Sequence, residues 1–250
     1  MLATSSGTPV LRYAEIASTN VEAMRLAAEG ETGPVWIVAD QQTAGKGRSG
    51  RAWVGGAGNL FASYLFETSA PIASAHQLSL VAGVAAFNAV ANSGLGSAEG
   101  LRLKWPNDIL IGTAKVGGIL VESSGIPGRA GLTAVVGIGL NLKSHPDIPG
   151  RAVTNLAAHG VLLEPQRALD ALDHALADAL RLWDASSGFP VVRTAWLARS
   201  GPIGERMTVH GAESALAGTF AGLDVDGALL IDLEGGERRR CTYGDVTING

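Results

Sequence analysis

The chain has 250 residues, 46% of them hydrophobic and 17% charged, with a formal net charge of -4. That length buries roughly three quarters of the unfolded surface, in one large domain or a medium one with a small companion, and the acidic balance excludes general affinity for nucleic acid. One cysteine, Cys241, excludes an intrachain disulfide and a thiolate metal cage; no leader sequence and no bilayer-length apolar run stand out, which points to a cytoplasmic protein without a membrane span.

Residues 10–16 read as a short strand, and Thr19-x-x-Glu22 as a capping box opening a helix that stops at Gly30. Ser18, Thr19 and Asn20 therefore sit at a helix N-terminus, where they either cap it or offer hydrogen bonds to a ligand. The apolar strand 35–39 runs into the densest stretch of the chain. Residues 45–51 hold three glycines and three cations, Lys46, Arg48 and Arg51. Glycine lets backbone amides approach a guest and the cations add charge, so this is an anion-binding loop for phosphate or carboxylate. A solvated basic turn is the bland alternative, and Gln42 and Trp53 beside the loop favour a site.

Gly45-Lys46-Gly47-Arg48-Ser49-Gly50 also satisfies the dinucleotide pattern G-x-G-x-x-G, but its context does not. That motif needs a helix directly after the glycines and an acid further on, whereas residues 51–58 have no helical period. A Walker A loop lacks its first glycine here.

Residues 59–67 read as a strand, Ser74-x-x-Gln77 as the cap of an apolar helix to about Asn92, and 101–105 as a strand ended by Pro106. Asn107 and Asp108 occupy the break. Strands 109–111 and 116–122 form a hairpin with Lys115 at the start of its returning arm, and Gly117-Gly118 inside that arm weaken it unless something must approach the backbone. Residues 133–142 form an apolar strand carrying Gly137, Gly139 and Asn141. Leu169, Leu172, Leu176, Leu180 and Trp183 keep helical spacing over 165–183, and a second helix covers 191–199. The composition then shifts at residues 200–204 to short strands and glycine turns, which predicts a small β-barrel. The expected domains are 1–200 and 201–250. Arg238-Arg239-Arg240 reads as a solvated strand end, the five histidines lack zinc-ligand spacing, and no G-x-S-x-G elbow is present.

Four blocks in order, Ser18-Thr19-Asn20, Gln42 to Trp53, Lys104-Trp105-Pro106-Asn107-Asp108 and Lys115 to Glu122, resemble the biotin protein ligases over nearly the whole chain. The resemblance implies an α+β fold. Its catalytic domain is a mixed sheet with helices, similar to class II aminoacyl-tRNA synthetases, followed by an SH3-like barrel. It implies a two-step ATP-dependent reaction: biotin's carboxylate attacks the α-phosphate of Mg-ATP to give biotinyl-5'-adenylate, and a lysine of a biotin carboxyl carrier domain takes the biotinyl group. By the same resemblance Ser18, Thr19, Asn20 and Gln42 meet biotin's ring. Gly45, Lys46, Gly47 and Arg48 close over its carboxylate and the adenylate phosphate, so that Arg48 serves both substrates, with Gly117 and Gly118 beside the carboxylate, and Lys115 bridges carboxylate and phosphate. Arg51, Trp53, Lys104, Asn107 and Asn141 serve the nucleotide. Asp108 either holds Mg2+ or orients Lys115.

Lys46 and Ser49 stand where the family usually has arginine, so a point charge replaces a planar fork and the loop carries less charge. Only 17 residues precede Ser18, too few for the DNA-binding domain of some members, so no repressor function and no DNA partner are expected, and a monomer or weak homodimer is. The loop offers few apolar contacts and is expected to be mobile without ligand. A lipoate or other acyl-protein ligase is the nearest alternative; a nucleotide-binding oxidoreductase and a non-catalytic interaction module are further ones.

Overall fold

Strands place successive side chains on opposite faces, and that rule separates two different surfaces on one sheet here. The structure is a computed structural model and describes residues 2–95, 100–211 and 214–249. Eight strands, β1 (Leu2–Ala3), β2 (Pro9–Ile16), β3 (Val35–Gln42), β4 (Leu60–Thr68), β5 (Leu101–Lys104), β6 (Asp108–Ile111), β7 (Ala114–Gly125) and β8 (Leu132–Leu140), form a sheet in the order β1-β2-β3-β4-β8-β7-β6-β5. Only β2 and β3 pair in parallel, with α1 (Thr19–Ala28) between them in sequence; every other pairing is antiparallel.

One face of the sheet is filled by α2 (Gln77–Ala91), which is apolar on nearly every side. It packs on the sheet and also against α3 (Pro165–Trp183) and α4 (Phe189–Leu197), so no polar face is needed. On the other face α1 lays Ala23 over Val35, Ile37, Leu65 and Val135. This second cluster covers only part of its face. Beyond Val135 the same-facing positions of β8 are Gly137 and Gly139, so the sheet floor there is bare.

Both expected capping boxes are replaced by tertiary contacts. Thr19 is the first residue of α1 rather than its cap; its hydroxyl and amide both bond Gln42 Oε1, at 3.1 and 2.8 Å, while Glu22 pairs with Arg25 and accepts from Tyr13. Ser74 bonds back to the Pro71 carbonyl and Gln77 accepts from Trp183 Nε1, so α2 opens at His76 without a side-chain cap. Partners elsewhere in the fold, acceptors for Thr19 and Ser74 and donors for Glu22 and Gln77, claim the polar groups that sequence spacing assigned to the helix ends.

The C-terminal unit consists of β9 (Arg206–His210), β10 (Ala215–Leu223), β11 (Leu229–Leu233), β12 (Arg238–Cys241) and β13 (Asp245–Ile248). They form an antiparallel sheet ordered β12-β11-β10-β9-β13. Its end strands do not pair among the described residues, so the expected barrel is an open five-stranded sheet. Phe220, Leu229 and Ile231 of this sheet belong to the same core as α2 and α3. The β12 arginines are exposed and face acids, Arg238 on Asp232, Arg239 on Glu237 and Arg240 on Asp224 and Asp226. Among the described residues no helix is long and apolar enough to cross a membrane.

The N-terminal segment is tied down by one buried acid on α3. Asp173 accepts hydrogen bonds from Thr4 at 2.8 Å, Thr8 at 3.1 Å, Trp36 Nε1 at 2.7 Å and the Ser6 hydroxyl. Burial pushes its carboxyl up, but bonds from Ser6, Trp36, Thr4 and Thr8 outweigh that and hold it below the ordinary 3.8. A depressed folded-state value means stability present above the ordinary value and lost as pH falls through the lowered one. Asp173→Ala strands the Trp36 and Thr4 donors in a dry interior and should cost about 2–4 kcal/mol, read as a lower urea midpoint at pH 7. The difference between the two proteins should shrink below pH 4.

Candidate functional site

Three glycines make the cavity. A Cβ at Gly137 would stand 2.0 Å from Asn20 Oδ1, one at Gly139 2.4 Å from the Trp53 indole, and one at Gly118 3.0 Å from both Trp53 and Lys115 Nζ. Backbone alone lets these side chains lie flat on the sheet. The resulting cleft is about 760 Å³ and is lined from α1, the glycine-rich loop, the β5–β6 turn, β7, β8 and the C-terminal sheet.

One end of the cleft is polar and buried. Ser18, Thr19 and Asn20 are nearly inaccessible, and Ser63, fully buried on β4, lies 2.7 Å from Thr19 Oγ1 and 2.6 Å from Asn20 Oδ1. Asn20 Nδ2 donates to Glu122 at 2.8 Å and to the Leu120 carbonyl at 3.2 Å. Gln42, holding the first turn of α1, closes the network. These side chains present a short row of donors and acceptors at a helix N-terminus, suited to a small ligand with an amide-like polar edge.

The other end is cationic. The loop after β3 forms no helix beyond the short 3-10 turn Arg48–Gly50; Gly47 N bonds the Arg51 carbonyl at 2.7 Å and Trp53 N the Gly45 carbonyl at 2.9 Å. Polar contacts thus hold a loop that apolar ones do not. Arg48 reaches Asn107 Oδ1 at 3.4 Å, and Asn107 is fixed by donating to the Ile119 carbonyl at 2.7 Å. Across the same cleft Asp108 pairs with Lys104 at 2.8 Å and with Lys115. The Lys115 ammonium also lies 5.3 Å from the Trp53 ring centroid. Segment 151–154, to which the sequence reading gave no role, pins Lys115 through Lys115 N to the Ala152 carbonyl and Thr154 N to the Lys115 carbonyl, both 2.9 Å.

Burial pushes the Asp108 carboxyl up, yet the Lys115 and Lys104 ammonium groups outweigh it and hold it down at about 2. Both carboxylate oxygens are committed to lysines, and no cluster of three or more acids, histidines or cysteines able to hold a metal occurs among the described residues. Among the described residues, two buried polar atoms have no protein partner, the donor Trp53 Nε1 and the acceptor Asn141 Oδ1. Both residues line the cleft, and a heterocycle with one acceptor and one donor on its edge fits such a pair.

Of the sequence-derived residues, Ser18, Thr19, Asn20, Gln42, Lys46, Gly47, Arg48, Arg51, Trp53, Lys104, Asn107, Asp108, Lys115, Gly118 and Asn141 line this one cleft. Gly45 and Gly117 lie behind its wall: a Cβ at Gly45 would meet the Trp53 carbonyl at 2.4 Å, and one at Gly117 would meet Leu140 at 2.6 Å. Sequence reasoning missed Ser63, Glu122 and Asp245. Ser63 left a signal, a lone hydroxyl inside the apolar run of β4, whereas Asp245 left none.

A model of the Biotin/lipoate A/B protein ligase family matches residues 15–141, and a Biotin protein ligase C terminal domain model matches 203–248. The biotin–[acetyl-CoA-carboxylase] ligase of Paracoccus denitrificans is 40% identical over 224 residues, covering 86% of this chain and 90% of the relative. The enzyme of the same name from Mycobacterium tuberculosis is 31% identical over 239 residues, 93% of this chain and 86% of that one. Among solved structures, the biotin protein ligase of Aquifex aeolicus in complex with biotin and ATP superposes with a TM-score of 0.76 at 26% identity, covering 96% of this chain and 99% of that one. The chain belongs to the biotin/lipoate protein ligase family, within its biotin protein ligase branch.

The ion-pair geometry has a direct reading in solution. Asp108 should titrate near pH 2, followed by its carboxyl carbon resonance, and Lys115→Met should raise that value toward the ordinary 3.8. The pair's contribution to stability is then present above about pH 4 and lost between 4 and 2. An unshifted titration in Lys115→Met would place the ammonium elsewhere.

Proposed function

We propose that the chain is an ATP-dependent biotin protein ligase. The observation that carries this is the meeting of cations from two segments far apart in sequence, Arg48 of the glycine-rich loop and Lys115 of the β6–β7 hairpin. They meet in one cleft whose opposite end is the Ser18–Asn20, Gln42 and Ser63 network.

Biotin's ureido ring sits at the polar end, against Ser18, Thr19, Asn20 and Gln42, which directs its valeryl carboxylate toward Arg48 and Lys115. Mg-ATP enters from the cationic end, its adenine against Trp53 and Asn141 and its phosphates among Arg48, Arg51 and Lys104. The carboxylate oxygen attacks the α-phosphorus, forming a mixed anhydride and breaking the bond to pyrophosphate. Lys115 bridges the two anions. Fixed positive charge at the site of growing negative charge is the main catalytic device available to such a displacement. A lysine amine of a biotin carboxyl carrier domain then attacks the anhydride carbonyl, losing a proton and expelling AMP as the amide forms.

Asp108 serves to hold Lys104 and Lys115 in place, and magnesium arrives as part of the nucleotide substrate. The mostly antiparallel eight-stranded sheet, flanked by helices, supports kinship of a 1–200 catalytic unit with class II aminoacyl-tRNA synthetases, and the antiparallel sheet of 201–250 supports an SH3-like unit. We read the enzyme as a cytoplasmic monomer or weak homodimer.

Biotin is favoured over lipoate by the buried polar end. A dithiolane ring has nothing to hydrogen-bond there and would leave those groups dry and unpaired, and sites built on hydrogen bonds reject such analogues strongly. Calorimetry should therefore show biotin binding with lipoate at least about a hundredfold weaker. Gly137→Ala, which pushes Asn20 off Ser63 and Glu122, should weaken biotin without making lipoate a ligand.

The activity test is pyrophosphate release from labelled ATP that depends on added biotin. Lys115→Ala and Arg48→Ala should each slow it about 10²- to 10³-fold, the cost of losing one preorganised charge. Biotin-independent release, or variants as fast as the parent, would remove the assignment.

A further inference from the structure

The cations proposed for ATP are not waiting free. Arg51 Nη2 lies 2.7 Å from Asp245 Oδ1, and Arg48 Nη1 lies 3.6 Å from the same oxygen and 3.3 Å from the Gly244 carbonyl. Arg48 also stands over the Tyr243 ring, Ser49 Oγ lies 2.8 Å from the Tyr243 hydroxyl, and Lys104 donates to the Val246 carbonyl at 2.8 Å. All of these partners come from one segment, 243–246, the end of the turn after β12 and the first two residues of β13 in the C-terminal sheet.

Resting on the ATP reading of the cleft, we propose that Asp245 is a built-in anion that competes with the triphosphate for Arg48 and Arg51. A carboxylate on the wall of a polyanion site is otherwise costly, since it repels the guest and occupies the guest's partners. It lines the cleft, its side chain is 40% exposed, and its pairing with Arg51 is the shortest ion contact the loop makes. Without nucleotide, Asp245 neutralises the loop and docks it on the C-terminal sheet. With nucleotide, the phosphates take the arginines and Asp245 is released toward solvent. ATP binding in this protein thus exchanges one anion for another and loosens a contact between the two sheets.

The test is the ATP dependence of biotin-dependent pyrophosphate release. Asp245→Asn should lower KM for ATP about two- to fivefold, the scale of a half-exposed ion pair, and change kcat less. Asp232→Asn, the same charge change opposite Arg238, should leave KM unchanged. A KM that rises or stays constant in Asp245→Asn makes Asp245 a positioning group or a bystander and overturns the proposal. A second reading needs no variant: in the wild-type protein, amide hydrogen exchange over residues 242–247 should quicken with saturating α,β-methylene ATP, and slower exchange there would overturn it equally. Wild-type protein that binds no ATP at all would instead sink the ligase reading beneath it.

Discussion

The site exists because part of one face of the large sheet is left without side chains. α1 covers Val135 and its neighbours, and then Gly137, Gly139 and Gly118 bring ligand-facing groups down to the level of the backbone. Asn20 and Trp53 both lie where a Cβ would be, so the polar end and the aromatic wall depend on the same absence. An alanine at any of the three positions, harmless on the opposite face, would lift one of these groups into the cleft. Packing against α2 supplies the rigidity that the bare face lacks: Val136 and Ile138, which alternate with the β8 glycines, belong to the main core.

Charge is arranged by the same economy of position. The chain is acidic overall, yet Arg48, Arg51, Lys104 and Lys115 line one cleft. Like charges at that spacing repel, and two carboxylates relieve the repulsion from opposite sides, Asp108 between the lysines and Asp245 between the arginines. Their placements differ in consequence. Asp108 is only 14% exposed between its two lysines and its carboxyl is held far down, so it stays ionised throughout any physiological range and behaves as part of the scaffold. Asp245 is exposed at the rim, where water and an incoming phosphate can replace it.

What was legible in the sequence were features of local composition. Gly45 to Arg51, the break at Pro106-Asn107-Asp108 and the paired glycines of β7 stand out because each violates the pattern around it, and such violations tend to fall at functional sites. The long elements were legible by period, with α3 matching its expected span from Pro165 to Trp183. Helix starts were misread because capping is decided by competition: Gln42, over twenty residues away, takes the amide and hydroxyl that the spacing of Thr19 and Glu22 assigned locally. Gly117 and Gly118 look equivalent in sequence, and only the strand's register shows that one faces the cleft and the other faces Leu140.

The C-terminal contribution was illegible for a further physical reason. Two of its contacts with the site, Gly244 to Arg48 and Val246 to Lys104, are made by main-chain carbonyls, which every residue type offers. No side-chain pattern can announce them. They also bind the C-terminal sheet to cations of the cleft by atoms that a side-chain substitution leaves in place, while the side-chain part of the contact comes from Tyr243 and Asp245. A β unit attached in this way becomes a wall of the cleft, held to the loop by main-chain carbonyls and by one carboxylate.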